Sequence, residues 1–326
     1  MDRRGVLAAL TPLLAGCFGG GTVSSATTPD ASTTAATGTP AGNGTATATP
    51  GPTETATATP EQTASASAAE EAATGHIETA RERIGTAVET YADSGDITDV
   101  GADAEGFTPG DVYAALVRAN SAVSRAGALA ATDDQETTVA RLEGVVAFLT
   151  RATAAQANVI EAHDALTASR RALVDGESGE VSARRAEVDA ARKAAERALS
   201  HLTSEATADD MAAVDVLDAG DYETKREAFE ASTTALADAV GAVSTFADGL
   251  ELLAAARNRG ENGDTAAAAE DAAGAESRFK EVASTFGDLV DGLPDAAGGF
   301  ADLFTAFADL ADEKASVAAD LADQYG

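Results

Sequence analysis

Beyond Gly75 the chain holds only two prolines, Pro109 and Pro294, whereas the other six fall at or before Pro60. Over the long proline-poor stretch, apolar residues recur at three- and four-residue spacing, the period of an amphipathic helix. A chain with that period and almost no helix breakers has packed helices as its natural solution. Composition points the same way: 81 of the 326 residues are alanine, tryptophan is absent and aromatics make up 4%. Alanine is the strongest helix former, while sheets draw on β-branched and aromatic residues. The expected fold class is therefore all-α, an elongated bundle or array of long antiparallel helices whose core is built largely from small side chains.

The helices can be placed from their seams. Ile77, Ile84, Val88 and Tyr91 mark a first helix, which Asp93-Ser94-Gly95 ends. Thr108-Pro109-Gly110-Asp111 supplies a cap, a proline at the first helical position and an acid in the first turn, opening a second helix on Val112, Leu116, Val123 and Leu129. Thr132 caps a third helix expected to run to about Val174. It carries two apolar seams, one through Val139, Leu142, Val146, Leu149, Thr153, Gln156, Ile160 and His163, the other through Val145, Phe148, Val159, Leu166 and Leu173. Two stripes on one helix call for neighbours on two sides. A fourth helix, about Glu180 to Thr203, repeats Ala191, Ala195 and Ala198, which lets backbones approach closely.

After Asp209 come a short helix with Met211, Val214 and Leu217 and a long one on Tyr222, Phe229, Leu236, Val243 and Leu250. Two last helices are separated by Gly292-Leu293-Pro294. Five of the ten phenylalanines lie between Phe279 and Phe307, so the densest core is expected there. The body, residues 76–326, is either one continuous array or two bundles, 76–205 and 208–326.

Residues 17–75 read differently. From Phe18 to Gly75 the chain is Thr, Ala, Gly, Ser and Pro with no basic residue, repeating Thr-Ala-Thr-Ala-Thr-Pro at Thr45 to Pro50 and Thr55 to Pro60. Such a segment has too little apolar surface for a core and is expected to be a disordered tether. Its 58 residues would reach roughly 180 Å extended and average about 40 Å as a coil. Asn43-Gly44-Thr45 is the chain's one Asn-x-Ser/Thr sequon, a candidate N-glycosylation site in this exposed stretch.

The first sixteen residues form a signal peptide: the pair Arg3-Arg4, an apolar stretch from Val6 to Leu14, then Leu14-Ala15-Gly16-Cys17. The apolar stretch is far shorter than the roughly 20 residues that span a bilayer. Small residues before the single cysteine match a lipobox, which makes Cys17 the lipidation site and the membrane anchor. Arg3-Arg4-Gly5-Val6-Leu7 looks like the twin-arginine export motif, which implies folding before translocation. It lacks the Ser or Thr common before the pair and has Val where Phe is usual.

The charge balance excludes one class of function outright. With 54 acids against 22 bases the formal charge is −32, so a nucleic-acid binder working by phosphate neutralisation is ruled out. Only four bases, Lys193, Lys225, Lys280 and Lys314, are lysine. Together with the lipobox and Thr-rich spacer, this composition resembles the surface lipoproteins of haloarchaea. High salt suits such a surface, because the Debye length falls to about 3 Å at 1 M. The resemblance implies a lipid-anchored protein on the outer face of the cytoplasmic membrane and names no activity.

A weaker likeness concerns the turns Ser178-Gly179-Glu180-Val181, Ala219-Gly220-Asp221-Tyr222 and Asn262-Gly263-Asp264-Thr265, spaced 41 and 43 residues apart. The second, with Gly220, Tyr222 and Phe229, is similar to the turn and second helix of a tetratricopeptide repeat. Lys225 stands where that family takes a small residue.

Motifs for chemistry are missing from the sequence. It has no Gly-Lys pair for a P-loop, no GxSxG, no HExxH and no Gly-rich dinucleotide fingerprint. His76, His163 and His201 lie far apart, and none forms Glu-x-x-His; His163 reads as an interior histidine and His201 as the surface partner of Glu205. Asp93, Asp96, Asp99, Asp103 and Glu105 offer oxygen ligands but miss the EF-hand pattern, as does Asn258 to Ala269 with Glu270 one residue late. They read as a solvated acidic loop.

The expectation is a non-enzymatic lipoprotein with no cofactor and no metal, whose helical body binds or scaffolds another envelope protein. The alternatives are a ligand-binding receptor, which needs an apolar pocket of several hundred Å3, and an enzyme using carboxylates or a bound cation.

Overall fold

The computed structural model describes residues 60–93 and 95–326. They belong to one compact unit that ends at Gly326. Seven α-helices carry the described fold: α1 Pro60–Ala92, α2 Pro109–Leu129, α3 Asp133–Asp175, α4 Ser178–Glu205, α5 Ala219–Glu261, α6 Thr265–Gly292 and α7 Ala301–Tyr325. Short 3-10 helices at Ile97–Asp99, Ala208–Ala213 and Asp295–Phe300 join some of them. No strand occurs among the described residues, so the chain folds as an all-α helical array.

Each helix packs chiefly on its neighbour in sequence, and the links of two or three residues after α2, α3 and α5 turn the chain back into antiparallel hairpins. The ends have local causes. The Thr132 hydroxyl accepts a hydrogen bond from the Gln135 amide at 3.3 Å to open α3. Gly176, at φ 74°, closes it in the left-handed conformation that glycine adopts without steric cost. Asp218 opens α5 by accepting from the Gly220 and Asp221 amides, while the Asp221 carboxylate accepts from the Asp218 amide in return.

Two elements differ from the expectations above. Helix α1 starts at Pro60, upstream of residue 75, so residues 60–75 belong to the helical body and not to the spacer. Proline and acid at its start suit a first turn, and alanine carries it on. The packing is specific: Ala73 is fully buried, and the Gln135 amide donates to the Glu70 carbonyl at 2.9 Å and to the Thr74 hydroxyl at 3.1 Å. The short helix near Met211 is a 3-10 turn ending at Ala213, with Val214 and Leu217 buried beyond it in non-helical chain.

The core follows the seams. In α3 the second seam is buried throughout, and the first is buried from Val139 to Gln156, then half-buried at Ile160 and His163. Ala191, Ala195 and Ala198 of α4 are buried. The C-terminal aromatics pack on one another: Phe286 stacks on Phe307 at 4.6 Å between centroids, and Phe300 on Phe304 at 5.4 Å. Between α5 and α6, Phe279 presses against Gly249, where an added Cβ would sit 2.7 Å from the ring.

Candidate functional site

Two places in the body go beyond ordinary helix packing. The first is built on Lys225, which α5 carries inward on the same face as Tyr222 and Phe229. Its side chain is 1% exposed. The ammonium nitrogen donates to the Val100 carbonyl at 3.0 Å and to Gln156 Oε1 at 2.9 Å. The Gln156 amide donates onward to the Gly101 carbonyl at 2.7 Å, and the Tyr91 hydroxyl meets Gln156 Oε1 at 3.3 Å. The nitrogen also lies 4.9 Å from the Phe229 ring centroid and 5.5 Å from that of Tyr91, within cation–π range.

This cluster joins α1, the loop after it, α3 and α5 at one buried point. Burial pushes the Lys225 amine down to about 7, an effect that the Asp96 carboxylate opposes. Burial likewise holds the Tyr91 phenol well above its ordinary value. With its nitrogen sealed from solvent, Lys225 has no open face for a solute. The cluster is a structural joint.

The second place is a trough between α5 and α6. It consists of two adjoining hollows of about 580 and 370 Å3 that share Asp288 and Leu289. Ala231, Ala235, Ala242 and Leu289 give it an apolar floor, and Asp238, Glu281, Asp288, Glu227 and Glu230 stand along it. None of the lining residues is basic. Glu230 is held by Arg226 at 2.6 Å, and Glu281 lies 3.5 Å from Arg278. Asp238 and Asp288 make no ion pair among the described residues. The trough has room: a Cβ on Gly241 or Gly292 would meet nothing within 4 Å.

Helix α5 is the one described helix long and apolar enough to cross a bilayer. It is packed between α4 and α6, and the trough lies along its α6 side. The large apolar side chains of α5 are covered, and what it leaves open along the trough is small or polar, as at Ala237, Asp238 and Gly241.

The residues singled out by sequence are scattered. Cys17, Arg3, Arg4 and Asn43 lie outside the described residues. His163 is half-buried, 5.7 Å from the Phe300 ring centroid. His201 Nδ1 is 3.3 Å from Glu205, as a surface pair. Arg151 clamps the same Glu205 with two bonds of 2.9 Å, which holds that carboxyl below its ordinary value and ties α3 to the end of α4. In the acidic loop, Asp96 accepts from the amide and hydroxyl of Thr98, both at 2.8 Å, and so caps the 3-10 turn. Among the described residues no three His, Cys, Asp or Glu side chains converge as a metal site would require.

Neither place was singled out by motif. The signal for Lys225 lay in the heptad: Lys225, Ser232, Ala239, Phe246 and Leu253 recur every seventh residue, and all are buried. Compared with protein families, with characterised proteins and with solved structures, the chain matches none.

Proposed function

We propose that this chain is an extracytoplasmic lipoprotein that holds a helical binding scaffold away from the membrane for another envelope protein. In this reading Met1 to Gly16 is removed as an export signal of twin-arginine type, and Cys17 carries the lipid. The spacer, with its sequon at Asn43, lifts the body clear of the bilayer, as in the haloarchaeal surface lipoproteins that the composition resembles. The observation that carries the binding role is the α5–α6 trough: a continuous, partly apolar surface left open on the body, with two unpaired carboxylates beside it. The reading assigns no catalysis, cofactor or metal.

Chemical cross-linking on intact cells at native salt, followed by mass spectrometry, tests the scaffold. A dominant envelope partner linked to residues of the helical body is expected; the absence of any reproducible partner overturns the role. The anchor is tested separately by Cys17→Ser, which should move the protein from the membrane fraction to the soluble fraction. Retention in the membrane would refute Cys17 as the anchor.

A further inference from the structure

We infer that the trough between α5 and α6 seats a cationic amphipathic helix of a partner protein. The inference rests on the scaffold reading and names the chemistry of its partner.

The lining residues of α5 run from Glu227 to Thr245, about 27 Å or five helical turns. That is the footprint of a helix of roughly 18 residues. The lining positions recur at three- and four-residue spacing on both walls, as in Glu227, Glu230, Thr234 and Asp238, or Glu281, Thr285 and Asp288. A third helix laid along the pair finds a ready ridge-and-groove surface. Its floor is low because alanine and Gly241 line it, so a partner with modest side chains can approach closely.

Charge decides which helix. All five ionisable residues of the trough are acidic. From Glu227 to Ala256 the chain carries five acids and no base, and from Glu281 to Glu313 eight acids and no base. A second copy of this chain would bury carboxylates against the carboxylates of the trough, a contact that salt screens far less than it screens exposed charges. The spacer is an equally poor occupant, since it has no basic residue between Phe18 and Thr59. An anionic lipid surface or a nucleic acid meets the same repulsion. A helix with Lys or Arg flanking a small apolar stripe satisfies both features, placing its cations against Asp238 and Asp288, and its stripe on the floor.

The test uses the purified full chain and two synthetic peptides of about 18 residues. One is a helix with an Ala/Leu stripe flanked by Lys and Arg; the other has the same composition, scrambled to destroy the stripe. Binding is read by fluorescence anisotropy across a range of salt. The amphipathic peptide should bind well above the scrambled one. Gly241→Trp fills the trough from a position with open space around it, and should weaken binding at least about tenfold while circular dichroism shows an intact helical fold. Asp238→Asn with Asp288→Asn should also weaken binding and flatten its salt dependence.

Equal binding of the two peptides, or binding that Gly241→Trp leaves unchanged, overturns the inference, because attraction would then be charge alone. If cross-linking on cells captures a partner on α1 to α4 while no basic helix seats in the trough, this inference falls and the scaffold reading stands. If no partner is captured anywhere on the body, the scaffold reading falls whatever the peptides do.

Discussion

Lys225 joins α5 to α3 and to the loop after α1 at one buried point, and its titration gives a measurable signature. Its folded value of about 7 lies below the roughly 10.4 of an unfolded lysine. Between those values the unfolded chain binds the extra proton, so unfolding free energy rises with pH across the window. Below about 7 both states are protonated and the full cost of the buried charge is present. Tyr91 works in the opposite sense above about pH 10, since its folded phenol keeps a proton that the unfolded one loses. Denaturant melts from about pH 6.5 to 9.5 should therefore show stability climbing, by an amount bounded at about 4 kcal/mol. Lys225→Met should flatten that slope; an unchanged slope would assign it to other groups. A reader of the sequence sees a cation and places it in solvent, because charged side chains are rarely buried without partners. The partners that make burial tolerable, Gln156 and the Val100 carbonyl, are 69 and 125 residues away. No local pattern brings them together.

At the scale of elements the contrast lies between two glycines of α5. At Gly249 a methyl group would press on the Phe279 ring, which is fully buried and lacks room to retreat. Gly241 faces open space. Gly249→Ala is expected to destabilise by about 1–3 kcal/mol through overpacking, whereas Gly241→Ala should stabilise by about 0.5–1 kcal/mol through helix propensity. Urea melts of the two variants check the pair, and equal shifts would mean that α5 and α6 are not packed as described. Most helices were legible from caps and seams, as Thr132 and Pro109 show, because those signals are local. The start of α1 was not: residues 60–75 share their Thr, Ser and Ala with the spacer, and only packing against Gln135 separates them. The short helix on Met211 was placed but its type and end were not, since the six residues of Ala208–Ala213 are too few to show a period. The trough too could not be read from sequence, being the space between two helices whose spacing only the fold determines.

Across the whole molecule the dominant quantity is charge. At −32 the compact state repels itself, and screening relieves that repulsion. The thermal midpoint should rise steadily from about 0.05 to about 2 M salt, read by circular dichroism at 222 nm; a flat or falling midpoint would show that the carboxylates are too well dispersed to matter. The sequential packing of the helices bears on how such a chain assembles. Hairpins between neighbours in sequence close short loops, which cost little entropy and form quickly. The bond from Lys225 to Val100 instead closes 125 residues, a separation that the hairpins between them shorten, so its closure is expected to follow theirs. The buried amine thus acts as a late latch: its closure marks a finished body, and opening it is the step that should govern how slowly that body comes apart.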